Sequence, residues 1–426
     1  MTTLDPGPSR TAPTRRTAPT GPVATDTAPR PGLRARLAAP VVWWRALRAS
    51  LDRPLAVYYL LLGASGLLLT IGLLMVLSAS SVYSYNVHDR DSYAVVTRQL
   101  LWVVIGLPCA FVASRLPLRA IRLLAWPALG VAVLLLALTA TPLGTSVNGN
   151  TNWLALGPLR VQPSEIAKLA VVLWAAHVYA LKERRLGELS HVLLPVAPVL
   201  LGVTGLVVWQ RDLGTALVLA AILLGMLWVV GAPLRLFAIA FAAVASVALW
   251  LASTSSERRE RLLNFTDPFS DYHDAGWQPA HGLYALSSGG VFGQGIGASQ
   301  QKWGYLPEAH TDYIFAVLGE ELGLVGTLLV LVLFATIAFA AVRIAAASTE
   351  PFVRYACFGI VVWLLGQTLI NLGMVLALLP VIGIPLPLVS YGGSALLPSL
   401  VALGLLIGFA RRQPEAAKAL AERRRG

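Results

Sequence analysis

One acidic residue stands at the entrance to a long apolar run, where a carboxylate can act as a base. Asp312 follows Glu308, His310 and Thr311 and directly precedes the apolar run. A carboxylate at the edge of a membrane is partly desolvated, and desolvation raises its pKa towards the range in which a general base works. The alternative is that Thr311 or Asp312 only caps a helix that begins there.

A second group of polar residues opens another apolar run and is suited to binding an anionic substrate. Glu165 and Lys168 are three residues apart, so they share one face of a helix, and Gln162 and Ser164 precede them. These two charged side chains either pair with each other or organise a site in which Lys168 contacts a pyrophosphate. Asp212, in a tight turn between two apolar runs, is either a turn and cap residue or part of the same site.

Two acids fall inside the apolar run that follows Asp312. Acids within a membrane are costly and usually face a cavity or a partner. Glu320 is eight residues beyond Asp312, which predicts that these two residues share one helix face. For Glu320 and Glu321 the alternative is a structural ion pair or hydrogen bond with a neighbouring helix.

The segment 379–394 contains three prolines and two adjacent glycines within apolar sequence. Irregular backbone at membrane depth is tolerated where it is buried in protein or lines a cavity. We therefore expect this segment, which includes Ser390 and Ser394, to line the same outward-facing cavity as Asp312.

The motifs that bind nucleotides or metals in many enzymes do not occur in this sequence. It has no GxxxxGK[ST], HExxH or GxSxG pattern, and its two cysteines, Cys109 and Cys357, lie far apart in or beside apolar runs. We interpret both cysteines as small buried hydrophobic residues. The chemistry must then come from carboxylates and cations acting on a substrate that carries its own leaving group.

The composition is typical of a membrane protein. Hydrophobic residues make up 56% of the 426 residues and charged residues only 13%, against roughly 25% charged residues in soluble domains. Apolar runs of about 20 residues recur, and each can cross a bilayer as a helix. The sequence predicts an all-α integral membrane protein with about ten transmembrane helices, near 56–79, 99–115, 120–140, 165–181, 190–209, 214–232, 234–252, 313–341, 355–379 and 395–410.

The distribution of charge predicts the orientation in the membrane. The net charge is +12, and the basic residues concentrate in the tails and in alternate short loops. This is the positive-inside pattern, in which basic loops stay in the cytoplasm. It predicts a plasma-membrane protein with both termini in the cytoplasm. No basic and aromatic face typical of nucleic-acid binding is visible, so we predict no nucleic-acid partner.

The chain divides into four predicted segments. Residues 1–32 form a disordered cytoplasmic tail, and residues 33–53 form an interfacial helix beside the membrane. The membrane domain spans 54–411 and includes a large extracytoplasmic loop, 253–312, between helices 7 and 8, in which we expect short helices at the outer membrane surface. Residues 412–426 form a basic cytoplasmic tail.

Several stretches of the sequence resemble the SEDS family (shape, elongation, division and sporulation), the FtsW/RodA group. Each stretch alone is a weak signal, but together they follow the family's order from the first span to the tenth. Residues 301–303 are more similar to the division branch, and the basic N-terminus is similar to actinobacterial members, whereas Asn152 stands where many members have arginine. The stretches are 148–153, 162–168, 212–215, 288–297, 306–323, 371–374 and 385–394.

This resemblance implies a peptidoglycan glycosyltransferase that polymerises lipid II at the division septum and releases undecaprenyl pyrophosphate. It implies that Asp312 is the catalytic base and that Lys168 or a divalent cation, Mg²⁺ or Mn²⁺, stabilises the leaving group. The implied partners are lipid II, a class B penicillin-binding protein, other division proteins and membrane lipid. The residues assigned to substrate binding are Gln162, Ser164, Glu165, Lys168, Asp212, Lys302, Glu308, His310, Ser390 and Ser394.

Four alternatives stay open on the sequence alone. A lipid II flippase would explain the helices and the intramembrane acids equally well, although flipping needs no large aromatic outside loop. A non-catalytic division scaffold would keep its function in cells without Asp312. An elongation paralogue, or a polymerase for another lipid-linked glycan, would share the fold and differ in its role or substrate.

Overall fold

The computed structural model describes residues 53–147, 150–157, 159–253, 267–269 and 276–423. The predicted tail 1–32 and, apart from Arg53, the predicted interfacial helix 33–53 lie outside the described residues, so both stay predictions. Within the described residues the protein is mostly helical. In chain order the helices are α1 (Ala56–Val87), α2 (Ala94–Arg115), α3 (Leu118–Leu138), α4 (Pro163–Lys182), α5 (Leu189–Leu193), α6 (Val196–Trp209), α7 (Leu213–Val229), α8 (Leu234–Ser253), α9 (Trp277–Ser288), α10 (Ile314–Ala347), α11 (Pro351–Val375), α12 (Gly393–Arg411) and α13 (Pro414–Glu422).

Eight helical stretches in the described part of the chain are long and apolar enough to cross a membrane. They are α1, α2, α3, α4 with the turn that follows it, α5 together with α6, α10, α11 and α12. Two shorter apolar stretches, Leu213–Val229 and Leu234–Ala243, stand where spans six and seven are predicted. The prediction of a multi-pass helical membrane protein is confirmed, and the count of ten stays a prediction.

A small antiparallel sheet lies between α3 and α4, where the sequence analysis expected no strands. Its three strands are β1 (Gly144–Val147), β2 (Asn150–Leu156) and β3 (Leu159–Val161), in the order β1-β2-β3. The all-α prediction is therefore incomplete at this loop. The sequence carries a signal for it, because the dipeptide Asn148-Gly149 between β1 and β2 is typical of hairpin turns.

Helix α4 begins with polar residues and is largely buried within the protein. It packs against α3, α7, α11 and α12, and most of its side chains are buried, including Trp174 and Tyr179. A helix that is buried on all sides has no solvent face for polar residues. The polar side chains at its start must therefore find partners within the protein.

Helices α2 and α12 run side by side in the same direction. Their backbones approach closely because glycines lie at the contact. A Cβ atom on Gly404 would lie 2.2 Å from the carbonyl oxygen of Ala110, and one on Gly408 would lie 2.7 Å from that of Ser114. Both distances are far below van der Waals contact, so only glycine fits at these positions. The C-terminal ends of α2 and α12 are consequently held together.

The long loop before α10 packs closely against the first turns of that helix. Short helices are present in the described part of this loop, as expected: α9 and the 3₁₀ turn Gln301–Trp303. A Cβ on Gly293 would lie 2.2 Å from the carbonyl oxygen of Glu321, and Gly323 interrupts α10 with a φ of 67°. The loop is thus anchored to α10, while its place at a membrane surface stays a prediction.

Candidate active site

Asp312 lies in a turn that precedes α10. The helix begins at Ile314, and its N-cap residue, Tyr313, makes no side-chain cap hydrogen bond. The Thr311 hydroxyl instead donates to the Glu308 carboxylate at 2.6 Å. The interpretation of Thr311 or Asp312 as a helix cap is therefore wrong, and the Asp312 carboxylate is left for another role.

Two neighbouring elements hold the Asp312 turn in place. The side-chain amide of Asn371, in α11, donates to the backbone oxygen of Asp312 at 2.7 Å and to that of Ile384 at 2.7 Å. Gly383 lies directly against the carboxylate. A Cβ atom at that position would be 3.4 Å from Asp312 Oδ2. The base candidate is thus clamped between α11 and the segment that follows it.

The surroundings of Asp312 favour its protonated form. Its side chain is half-buried, and within the described residues no donor makes a hydrogen bond to the carboxylate. Burial, followed by the negative charges of Glu308 and Asp212, raises the pKa of Asp312 to about 7. A carboxyl group of that pKa can take up a proton and give it back near neutral pH.

The proline-rich segment after α11 contacts the Asp312 turn, while its lining of an outward-facing cavity stays a prediction. The Ser390 hydroxyl donates to the backbone oxygen of Thr311 at 2.6 Å and accepts from the Leu386 amide at 2.7 Å. The Tyr391 amide donates to the backbone oxygen of His310 at 2.9 Å. Ser390 therefore positions the backbone next to Asp312. Ser394 lies buried in the first turn of α12.

His310 lies between two tyrosine rings. Its imidazole stacks on Tyr83 with ring centres 4.8 Å apart and contacts Tyr391 at 5.6 Å. Burial lowers the pKa of His310, and the negative charge of Glu308 opposes this effect. The ring is therefore mainly neutral at pH 7 and can offer a hydrogen bond without adding positive charge.

Two arginines near this aromatic group were missed by the sequence analysis. Arg98, in α2, and Arg160, in β3, both lie within electrostatic reach of the Tyr391 hydroxyl group. Burial raises the pKa of Tyr391, and both arginines oppose this effect. Arg98 was overlooked because span two was predicted to begin at residue 99, whereas α2 begins at Ala94.

Asp212 caps α7 and also ties the β-sheet loop to the helices. Its carboxylate accepts from the Thr215 amide at 2.9 Å, which is the cap arrangement that the sequence allowed. It also accepts from Asn152 at 3.0 Å and from Gln162 at 2.8 Å. The Asn152 amide thus forms a neutral hydrogen bond to this acid.

Glu165 and Lys168 form a buried ion pair at the start of α4. The Lys168 ammonium group lies 2.8 Å from the Glu165 carboxylate and 2.8 Å from the side-chain oxygen of Gln367. Lys168 is only 1% exposed, so in this conformation it has no access to a substrate. Ser164 Oγ and Glu165 Oε2 are buried without a hydrogen-bond partner. The contact of Lys168 with a pyrophosphate stays a prediction.

Glu320 and Glu321 anchor the long loop instead of facing the Asp312 carboxylate. The Lys302 ammonium group lies 3.2 Å from Glu321 and 3.0 Å from the Ser78 hydroxyl. The Ser299 hydroxyl donates to Glu320 at 2.5 Å. The alternative of a structural ion pair or hydrogen bond therefore describes both Glu320 and Glu321. The predicted helix face shared by Asp312 and Glu320 is wrong, because Asp312 precedes the helix.

The residues around Asp312 do not form a metal site of protein ligands alone. The described ranges contain no group of three or more His, Cys, Asp or Glu side chains arranged to hold a metal ion. Asp212 already accepts several hydrogen bonds, which leaves few lone pairs for a cation. A divalent cation stays a prediction, and no chemical step below depends on one.

The fold and this site define a multi-pass helical membrane protein in which the turn that carries Asp312 is held by α11 and by the segment that follows it. The sequence model of the family described as "Cell cycle protein" (FtsW/RodA/SpoVE) matches residues 59–415. The chain belongs to this family.

Relatives and solved structures agree with this assignment. "Probable peptidoglycan glycosyltransferase FtsW" of Mycobacterium tuberculosis is 40% identical over 373 residues, covering 87% of this chain and 71% of that protein. "Stage V sporulation protein E" of Bacillus subtilis is 35% identical and covers 81% of this chain and 94% of that protein. A chain of a solved "peptidoglycan synthase complex" is 31% identical with a TM-score of 0.67, covering 83% of this chain and 97% of that chain. Thermus thermophilus "Rod shape determining protein RodA" is 30% identical, with a TM-score of 0.62, and covers 83% of this chain and 96% of that chain.

Proposed function

We propose that this protein is a peptidoglycan glycosyltransferase that polymerises lipid II into glycan strands during cell division. Family membership supports the activity, and the names of the relatives from Mycobacterium support the division role over the elongation role. One structural observation carries the chemistry: the half-buried carboxyl group of Asp312, whose pKa is about 7. A proton-coupled flippase would also use such a carboxyl group, so polymer formation rather than the pKa separates the two functions.

In the proposed reaction, Asp312 takes the proton from the 4-hydroxyl group of the terminal GlcNAc of the acceptor. The resulting oxygen attacks C1 of the donor MurNAc from the face opposite the pyrophosphate. The bond between C1 and the pyrophosphate oxygen breaks, the anomeric centre is inverted, and undecaprenyl pyrophosphate leaves with the bonding electron pair. Burial and the charges of Glu308 and Asp212 fit Asp312 for this role because they raise its affinity for the proton.

Two arginines are better placed than Lys168 to receive the leaving group. Lys168 is buried and neutralised by Glu165, whereas Arg98 and Arg160 are exposed beside Tyr391. Guanidinium groups bind phosphate oxygens in a bidentate manner and hold their charge in every environment. Arg98 and Arg160 would stabilise the charge that develops on the pyrophosphate.

The proposal includes a location and partners. The basic loops support a plasma membrane protein with both termini in the cytoplasm, and the division role supports a position at the septum. The partner we propose is a class B penicillin-binding protein that cross-links the new strand, alongside other division proteins. The similarity to a chain of a peptidoglycan synthase complex supports this pairing.

Reconstitution of the purified protein with lipid II and its transpeptidase partner tests the proposal. A polymerase forms glycan chains and releases one undecaprenyl pyrophosphate for each disaccharide added. In a second assay, lipid II is enclosed in vesicles where the acceptor cannot reach it. A flippase would move this lipid II across the bilayer without forming polymer. Transport without any polymer, in the presence of the partner, would contradict the proposed function.

A further inference from the structure

The C-terminal ends of α2 and α12 form a basic cavity at the end of the protein opposite Asp312. The start of α12 adjoins the Asp312 turn through Ser390, and its 19 residues then run about 28 Å along the helix axis. The cavity has a volume of about 430 Å³. Its polar wall consists of the arginines at these helix ends, Arg115, Arg411 and Arg412.

No acidic side chain lines this cavity among the residues that the structure describes. The Arg412 guanidinium donates one hydrogen bond to the backbone oxygen of Leu116, and its Nη1 atom is buried without a partner. A buried donor without an acceptor is costly, because it has lost its water. Burial, followed by the positive charge of the neighbouring Arg411, lowers the pKa of Arg412.

The other wall of the cavity is apolar and comes from α13. Ala417, Leu420 and Ala421 line it, and α13 is held back against the membrane domain, since Arg423 donates to the Tyr59 hydroxyl at 2.7 Å. Positive charge on one wall and aliphatic surface on the other suit an amphiphile with an anionic head better than a fully hydrated ion.

We propose that this cavity binds a phosphate-bearing anion, supplied by the headgroup of an anionic phospholipid in the adjoining leaflet. Basic pockets at the cytoplasmic ends of transmembrane helices have the charge and position to bind such headgroups. The phosphate accepts hydrogen bonds from the guanidinium groups of Arg115 and Arg412 that line the cavity, while the glycerol and first acyl carbons contact Leu420. A bound lipid would join α2, α12 and α13.

Thermal unfolding of the full-length protein in a neutral detergent tests this site. Short-chain phosphatidylglycerol, short-chain phosphatidylcholine and inorganic phosphate are titrated separately. We expect phosphatidylglycerol to raise Tm saturably, because a ligand that binds only the folded state stabilises it, and phosphatidylcholine to have no saturable effect. If inorganic phosphate alone saturates the site with the same dependence on arginine, the anion site stands and its source is a soluble phosphate.

Variants test whether the arginines are responsible for phosphatidylglycerol binding. Arg115→Gln and Arg412→Gln should each weaken apparent phosphatidylglycerol binding by about tenfold. Arg119→Gln, a charge-matched change at the same end but outside the cavity, should bind like wild type. Arg115 is exposed, so its variant keeps the test valid even if Arg412→Gln fails to fold.

Hydrogen exchange in α13 gives an independent readout. At a concentration near the wild-type Kd, phosphatidylglycerol should slow amide exchange in Pro414–Glu422 of wild type clearly more than in Arg115→Gln. Equal phosphatidylglycerol binding by wild type and both arginine variants overturns the proposal. So does the absence of any saturable effect of either anion on wild type.

Discussion

The side-chain amide of Asn371 donates a 2.7 Å hydrogen bond to the backbone oxygen of Asp312. The same amide donates to the backbone oxygen of Ile384 at 2.7 Å. One residue in α11 therefore fixes both the turn that carries the proposed base and the segment that contacts its carboxylate. Asn371 does not touch the carboxylate, so we regard it as a positioning residue.

Replacing Asn371 with leucine should reduce polymerisation more than it reduces stability. The change leaves two buried carbonyl groups without a donor, each at a cost of about 1–3 kcal/mol, and it releases the Asp312 turn. We expect the initial polymerisation rate to fall by about tenfold or more, since small displacements of reacting groups have large effects on rate. Initial rates and thermal unfolding of the same preparations are the measurements.

Thr368→Val is the matched control for this change. Thr368 lies on α11, as Asn371 does, and its hydroxyl donates only to the Leu364 carbonyl one turn earlier. The valine variant should keep its activity. Equal losses of rate in Asn371→Leu and Thr368→Val would contradict a positioning role for Asn371.

Polymerisation should lose rate as the pH falls through about 7. The proposed base, Asp312, must be deprotonated to accept a proton, and its pKa is raised to about 7. The active fraction therefore rises with pH, is half at about pH 7 and is about one tenth at pH 6. Initial rates between pH 5.5 and 8.5, with the unfolding temperature recorded at each pH, give this profile.

Glu308→Gln tests the cause of this raised pKa. The negative charge of Glu308 is the largest effect on the pKa of Asp312 after burial. Its removal should shift the acidic limb of the profile to lower pH, while the rate at high pH changes little. Glu188→Gln, which removes a carboxylate elsewhere, should leave the limb in place. An unshifted limb in Glu308→Gln would mean that another group controls the rate.

Gly404→Ala should separate α2 from α12 and destabilise the protein. The added methyl group would lie 2.2 Å from the carbonyl oxygen of Ala110, which is backbone and has little room to move. We expect a loss of about 1–3 kcal/mol, as for overpacked cores. Gly130→Ala in α3, where no atom lies within 4 Å, is the control, and it should be neutral or slightly stabilising because alanine favours a helix.

Lys302→Met should destabilise the long loop by leaving Glu321 buried without its cation. The ion pair is almost fully buried, at 3.2 Å, and removing one partner of such a pair typically costs about 3–5 kcal/mol. The double variant Lys302→Met/Glu321→Gln should recover part of the loss, because a neutral amide keeps an acceptor for the Ser78 hydroxyl. No recovery in thermal unfolding would argue against the ion pair as the cause.

Hydropathy predicted the larger features of the fold because each span is a local property of the chain. The eight long apolar stretches coincide with predicted spans, and Asp312 and Asp212 were found because polar residues at the ends of apolar runs are conspicuous. The sheet between α3 and α4 was missed, although the dipeptide Asn148-Gly149 was visible in the sequence.

Contacts between distant segments could not be predicted in the same way. Asn371 reaches Asp312 across 59 positions, and Lys302 reaches Ser78 across 224. Such pairs depend on which helices are neighbours, and hydropathy carries no information about that. For Glu165 and Lys168 the sequence left open whether they pair or bind substrate, and only packing against α11 shows that they are buried together.

The most direct measurement is the initial rate of lipid II polymerisation by Asp312→Asn, with the transpeptidase partner present and lipid II binding measured in parallel. Asparagine has the shape of the carboxyl group but cannot accept the proton. We predict that the rate falls by about a hundredfold or more, that lipid II still binds, and that Glu308→Gln in the same turn stays active. A rate for Asp312→Asn equal to that of wild type would contradict the assignment of Asp312 as the base.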